Sequence, residues 1–120
     1  YEIIETALTG MAIDKTAFSQ ADLEAYKDAA AKRGALTAMI NYYRCTFQNF
    51  LNQSNDDWTI VETPTLMIWG ENDTALGKEL TYGTEEFVRD LTIKYIPNCS
   101  HWVQQERPEL VNQYIWEFLN

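Results

Sequence analysis

Asp73 and His101 are the two residues whose types and placement could do chemistry together. Each follows a short apolar run. Thr65-Leu66-Met67-Ile68-Trp69 lies between Pro64 and Gly70, and Thr92-Ile93-Lys94-Tyr95-Ile96 leads into Pro97-Asn98-Cys99-Ser100-His101. Both runs read as strands of a parallel sheet, the first of them buried on both faces. In open parallel sheets the functional groups sit in the loops leaving the carboxyl ends of strands. Two neighbouring strands would then deliver a carboxylate and an imidazole to one edge. A carboxylate that accepts the proton of one ring nitrogen fixes the tautomer. It also stabilises the imidazolium formed when the other nitrogen takes a proton from an attacking group. Spacing alone leaves a plainer alternative open: a hydrogen-bonded structural histidine, and an aspartate that is simply a good turn former.

The attacking group is missing. The serines lie in Phe18-Ser19-Gln20, Gln53-Ser54-Asn55 and Cys99-Ser100-His101, and none sits in a G-x-S-x-G elbow. Cys99 is two places before His101, and adjacent loop positions rarely give nucleophile–base geometry. Asp57-Trp58 sits in a polar stretch with no strand leading into it. With one histidine and two distant cysteines, Cys45 and Cys99, neither a disulfide framework nor a zinc site is expected. No metal or cofactor is expected, and the free thiols point to a reducing, cytoplasmic setting.

The elements that must position these residues follow from periodicity and punctuation. Ser19 and Asp22 form a capping box bracketed by Phe18 and Leu23, so a helix should start at Ser19. Leu23, Tyr26 and Ala30 share one side of it, and Gly34 after Lys32-Arg33 stops it. Residues 1 to 18 give only a slight helical hint, around Ile3, Ile4 and Leu8. A second helix is expected over 35–52, where Leu36, Met39, Ile40, Tyr43, Phe47, Phe50 and Leu51 make one apolar stripe. Tyr43 lies on that stripe, and Tyr42 is turned about 100° away. The polar run Asn52 to Asp57 reads as a linker. Between the two strands, helical turns should pass through Leu76, Leu80, Phe87 and Val88, interrupted at Gly83. Pro108 opens a last helix with Leu110, Val111, Tyr114, Ile115 and Phe118 inward. Strand, helix, strand, helix in about 60 residues is a parallel crossover plus one helix.

Composition narrows the classes. The 120 residues are 46% hydrophobic, with four Trp, seven Tyr and five Phe, which suits a folded domain and not a disordered one. The balance of 9 basic against 18 acidic residues gives a net charge of −9, which repels nucleic-acid phosphates and anionic membranes. No apolar run approaches the roughly 18 residues of a membrane span. The chain opens on Tyr1-Glu2-Ile3-Ile4, with neither a basic start nor an apolar signal core, and reads as a piece of something longer.

Pro64-Thr65-Leu66-Met67-Ile68-Trp69-Gly70-Glu71-Asn72-Asp73 resembles the acid-bearing strand and loop of α/β-hydrolases. Cys99 through Glu109 resembles their histidine loop and final helix, and acid-then-histidine is their chain order. Gly34-Ala35-Leu36 running into Asn41-Tyr42-Tyr43-Arg44 is similar to the cap helix of soluble epoxide hydrolases. The resemblance implies a partial α/β-hydrolase fold. Residues 1–52 would be a helical cap remnant, 53–63 a linker, and 64–120 the C-terminal part of the core, with parallel strands. It implies that Asp73 orients the base, His101 activates water, Tyr43 hydrogen-bonds the epoxide oxygen and Trp102 contacts substrate. The expected reaction converts an epoxide to a diol through an alkyl-enzyme ester on an aspartate outside this chain, so the chain alone should be inactive. An esterase or a haloalkane or haloacetate dehalogenase of the same fold stays open, as does a non-catalytic interaction protein. The expected partners are a small epoxide or ester and, through an exposed sheet edge, a second copy or companion chain.

Overall fold

The computed structural model of the chain describes residues 2–52 and 59–120. Helices α1 (Glu2–Met11), α2 (Gln20–Ala31) and α3 (Ala35–Asn52) come first. Strands β1 (Thr65–Gly70) and β2 (Leu91–Ile96) follow, then α4 (Val103–Glu106) and α5 (Pro108–Leu119). The side chains of Phe50 and Leu51, and residues 53–58 with Asp57-Trp58, lie outside the described residues.

Local chemistry explains the helix ends. Ser19 Oγ accepts from the Asp22 N–H at 3.2 Å, and the Ser19 N–H donates to Asp22 Oδ2 at 2.9 Å. That reciprocal cap contributes about 1 kcal/mol. Phe18 and Leu23, which bracket it, are both buried with Leu8 and Ala12. Gly34 makes the turn into α3. Helix α3 has the expected bounds, but its stripe is not covered: Met39 and Ile40 are each 49% exposed, Tyr43 65% and Phe47 69%. Its eighteen residues suffice for a helix, and among the described residues its main packing is against α2.

The strands run parallel, from Thr65 opposite Leu91 to Gly70 opposite Ile96. Neither is buried on both faces as the first was expected to be; each is half-buried along its length until Gly70 and Ile96. The reason is that two strands leave one edge of each unpaired among the described residues, and α5 covers a single face. On that face Ile68 meets Ile96, Cys99, Val103 and Val111. Toward the other face Trp69 Nε1–H donates to the Leu76 carbonyl at 3.1 Å, and the Thr81 and Tyr95 hydroxyls bond at 2.5 Å.

The crossover differs from expectation too. Instead of helical turns through Leu76, Leu80 and Phe87 it holds two short 3-10 turns, Lys78–Thr81 and Thr84–Glu86. Gly83 sits between them at φ 82°, a left-handed conformation that ends one turn before the next begins. Leu76, Leu80 and Phe87 are exposed, so no apolar face existed to hold a longer helix on the sheet. Val61, inside the expected linker, makes a parallel bridge to Val88.

Pro108 is at the first position of α5, as its ring geometry favours. Val111 is buried, Leu110, Tyr114 and Phe118 are half-buried, and Ile115, expected inward, is 42% exposed. The single turn α4 was not foreseen. No helix among the described residues is long and apolar enough to cross a membrane. The helical and strand-bearing segments meet at Trp102, whose ring stands edge-on to Phe18 at 6.1 Å beside the Leu8 cluster. Burying a side chain the size of Phe18 there stabilises the contact by about 1.5–3 kcal/mol.

Candidate active site

The two strand exits touch. The Glu71 N–H donates to the Ile96 carbonyl and the Asn72 N–H to the Cys99 carbonyl, both at 3.0 Å, so the ladder continues past the strands. This approach requires Gly70: a Cβ there would stand 2.1 Å from the Ser100 carbonyl oxygen and 2.5 Å from that of Cys99. On the β2 side, Asn98 at φ 50° turns the chain back toward Gly70. Asparagine tolerates that conformation better than most residues.

This junction brings Asp73 and His101 together. Asp73 Oδ2 lies 2.8 Å from His101 Nδ1, and Asp73 Oδ1 accepts the N–H groups of Ala75 and Leu76 at 2.8 and 2.9 Å. The Asp73 side chain is 5% exposed and that of His101 33%. Burial alone would push the Asp73 carboxyl above its usual 3.8. The Leu76 N–H, His101 and the Ala75 N–H outweigh it and hold it lower. An ionised carboxylate offers only acceptors, so Nδ1 must carry the proton of this bond, and Nε2 is left as the acceptor of the neutral ring. Nε2 has no partner among the described residues. A cavity of about 300 Å³ lined by Trp69, Asp73, Leu76, His101 and Trp102 opens over the pair. The arrangement can take a proton at Nε2 and stabilise the resulting imidazolium.

Tyr43 is elsewhere. With Tyr42, Met39, Tyr26, Leu8 and Trp102 it lines a second cavity of about 500 Å³, mostly apolar. Tyr42, read as turned away from the stripe, lines the same cavity, its ring edge-on to Tyr43 at 5.5 Å. Trp102 is the wall common to both cavities, and its ring stands 5.0 Å from that of His101. Neither thiol nor hydroxyl near His101 is an attacker. Cys99 is fully buried, and burial together with Glu106 pushes its thiol up to about 11. Ser100 is fully buried, with its Oγ accepting the Trp102 N–H at 3.2 Å. Ser19 belongs to the α2 cap, and Ser54 lies outside the described residues. Among the described residues no group of three or more His, Cys, Asp or Glu could hold a metal ion.

Sequence reasoning missed Glu106, five residues after His101. It is 5% exposed, and its carboxylate accepts the Ser100 N–H at 2.6 Å and the Asp14 N–H at 2.9 Å. The available signal was a glutamate in a half-apolar turn just before Pro108. Burial would raise its carboxyl above 4.5, but the Ser100 and Asp14 N–H groups and the Cys99 thiol hold it lower.

Both carboxyls therefore bind protons less readily folded than unfolded. Their stabilisation is complete above the unfolded values of about 4 to 4.5 and fades as pH falls through the lower folded ones. Urea melts should give constant stability from pH 7 down to about 5 and a steep loss below about 4. Glu106→Gln should be less stable at pH 7 and show a shallower loss in acid. Equal slopes for the two proteins below pH 4 would contradict the assignment.

No protein-family model matches the chain. It is 43% identical over 104 residues to Epoxide hydrolase 1 of Caenorhabditis elegans, a match covering 86% of this chain and 25% of that protein. It is 34% identical over 119 residues to the AB hydrolase superfamily protein YfhM of Bacillus subtilis, covering 99% and 40%. The structure of a Bacillus megaterium epoxide hydrolase with an inhibitor superposes with a TM-score of 0.73 at 26% identity, over 98% of this chain and 41% of that one. The chain thus spans a quarter to two-fifths of the length of these relatives.

Proposed function

We propose, from the premise that this chain is part of an α/β-hydrolase resembling the epoxide hydrolases, that it supplies the acid–base half of an epoxide-hydrolysing site. Residues 1–52 serve as part of its cap and 64–120 as part of its core, joined by 53–63. The observation that carries this reading is the 2.8 Å contact between His101 Nδ1 and an Asp73 carboxylate held ionised.

In the complete protein a carboxylate outside this chain attacks a ring carbon. The ring C–O bond breaks, and its electron pair stays on the oxygen. Tyr43 donates a hydrogen bond to the developing alkoxide, a role like that of an oxyanion-hole donor. Nε2 of His101 then takes a proton from water as that water attacks the ester carbonyl. The ester C–O bond breaks, one alkoxide takes the proton from His101 Nε2 and the other the proton left on the attacking water oxygen, and a diol and the free carboxylate result. Trp102 bounds the space in which substrate lies. The Tyr43 phenol supplies an O–H donor for that bond. The Tyr43 cavity shares a wall with the Asp73–His101 cavity, which favours an epoxide over an ester or alkyl halide as substrate.

The test is an assay of the complete protein on an epoxide and on an aryl ester. Tyr43→Phe should slow epoxide opening about tenfold, the worth of one hydrogen bond to developing charge, and leave ester hydrolysis unchanged. Equal loss on both substrates would argue against Tyr43 as the ring-oxygen donor.

We infer also that the chain by itself self-associates. The edges of β1 and β2 and the α3 stripe left uncovered among the described residues give a second copy strand edges and apolar surface to cover. A charge of −9 opposes this at low salt but is screened beyond about 8 Å at 0.15 M. Light scattering in 0.15 M salt should return a mass above 13.9 kDa. A folded monomer at micromolar concentration would contradict it.

A further inference from the structure

We propose that Glu106 is the positioning residue that fixes His101 by tying the loop after β2 to the loop after α1. Its Oε2 accepts the N–H of Ser100, the residue immediately before His101, at 2.6 Å. Its Oε1 accepts the N–H groups of Ile13 and Asp14 at 2.5 and 2.9 Å. One buried carboxylate therefore holds three backbone donors, two of them 92 and 93 residues from it in sequence and one 6 residues from it. Arg107 runs alongside. Its guanidinium donates to the Asn98 carbonyl at 2.9 Å and stands 3.9 Å from Asp14 Oδ2, spanning the same two loops. Helix α4 is the lever. The Glu106 N–H donates to the Trp102 carbonyl at 2.9 Å, closing a single turn that swings the carboxylate back under Ser100.

This chemistry needs a carboxylate. Both oxygens accept, and each faces only donors, so an amide at 106 must turn its own N–H₂ toward Ser100 or toward Ile13 and Asp14. Either way a buried donor is left unpaired, and one loop is released. Released on the Ser100 side, the backbone entering His101 loses its anchor, and the Asp73 bond must hold the ring alone. The consequence for turnover rests on His101 being the base; the positioning itself does not.

His101 is the only histidine, so its ring signals need no assignment. In the isolated chain the Nδ1 proton should give one slowly exchanging resonance. In Glu106→Gln, if folded by circular dichroism, that proton should exchange about tenfold faster or split into several signals. In Asp73→Asn it should vanish. A folded Glu106→Gln with the wild-type resonance and exchange rate would overturn the proposal while leaving the Asp73–His101 pair intact. Retention of the resonance in Asp73→Asn would instead remove the pair. Should Glu106→Gln fail to fold, amide exchange on the wild type decides: Ile13, Asp14 and Ser100 should be protected to the same degree and open together. Fast exchange at Ile13 and Asp14 beside a protected Ser100 would overturn it.

Discussion

Gly70→Ala should destabilise the chain by about 3 kcal/mol and separate Asp73 from His101. The new methyl would have to occupy space 2.1 Å from the Ser100 carbonyl oxygen and 2.5 Å from the Cys99 carbonyl oxygen, well inside van der Waals contact. Both obstacles are backbone, so no side chain can swing aside. The backbone at Cys99 and Ser100 is held in turn by the Asn72 N–H and by Glu106, so relief must break one of those bonds. Breaking either moves the loop carrying His101. Urea melts measure the first effect, and the Nδ1 proton signal of His101 measures the second. A variant within about 0.5 kcal/mol of wild type would mean that the two exit loops do not touch at this point.

Asp73→Asn should lower turnover of the complete protein by about 10²–10⁴-fold while the chain still folds. Oδ1 of Asp73 accepts two backbone N–H groups, from Ala75 and Leu76, and an asparagine must keep an oxygen there. Its amide nitrogen is then forced toward His101 Nδ1, which must become the acceptor. The ring proton moves to Nε2, the nitrogen that should receive a proton from water, and the base is blocked in its neutral form. The substitution keeps an oxygen on the turn at 73–76, so a cooperative melt, lowered only by the loss of the ionised carboxylate, is expected beside the lost rate. Turnover within about twofold of wild type would show that Asp73 does not set the tautomer.

Much of this site was legible in the residues, for physical reasons that differ from place to place. The α2 cap could be read because Ser19, Asp22, Phe18 and Leu23 interact only with one another and need no distant partner. The strands and their exit loops could be read because apolar runs closed by Gly70 and Pro97 have few other uses. The crossover was misread because Leu76, Leu80 and Phe87 look like an inward face. Whether such a face is buried depends on what lies beneath it, and a two-stranded sheet offers little. The same holds for the α3 stripe, whose period was right and whose cover is not among the described residues. Glu106 escaped notice because its partners are backbone groups at Ile13, Asp14 and Ser100, and backbone donors leave no mark in the sequence.

Base catalysis by this pair requires a proton on Nδ1 of His101 shared with Asp73, leaving Nε2 free to act. Selective ¹⁵N labelling of the single histidine reads this directly, because protonated and bare ring nitrogens differ in chemical shift. With the ring neutral, Nδ1 should be protonated and Nε2 bare in the wild type, and the reverse should hold in Asp73→Asn. A wild-type ring carrying its proton on Nε2, or exchanging freely between both nitrogens, would contradict it.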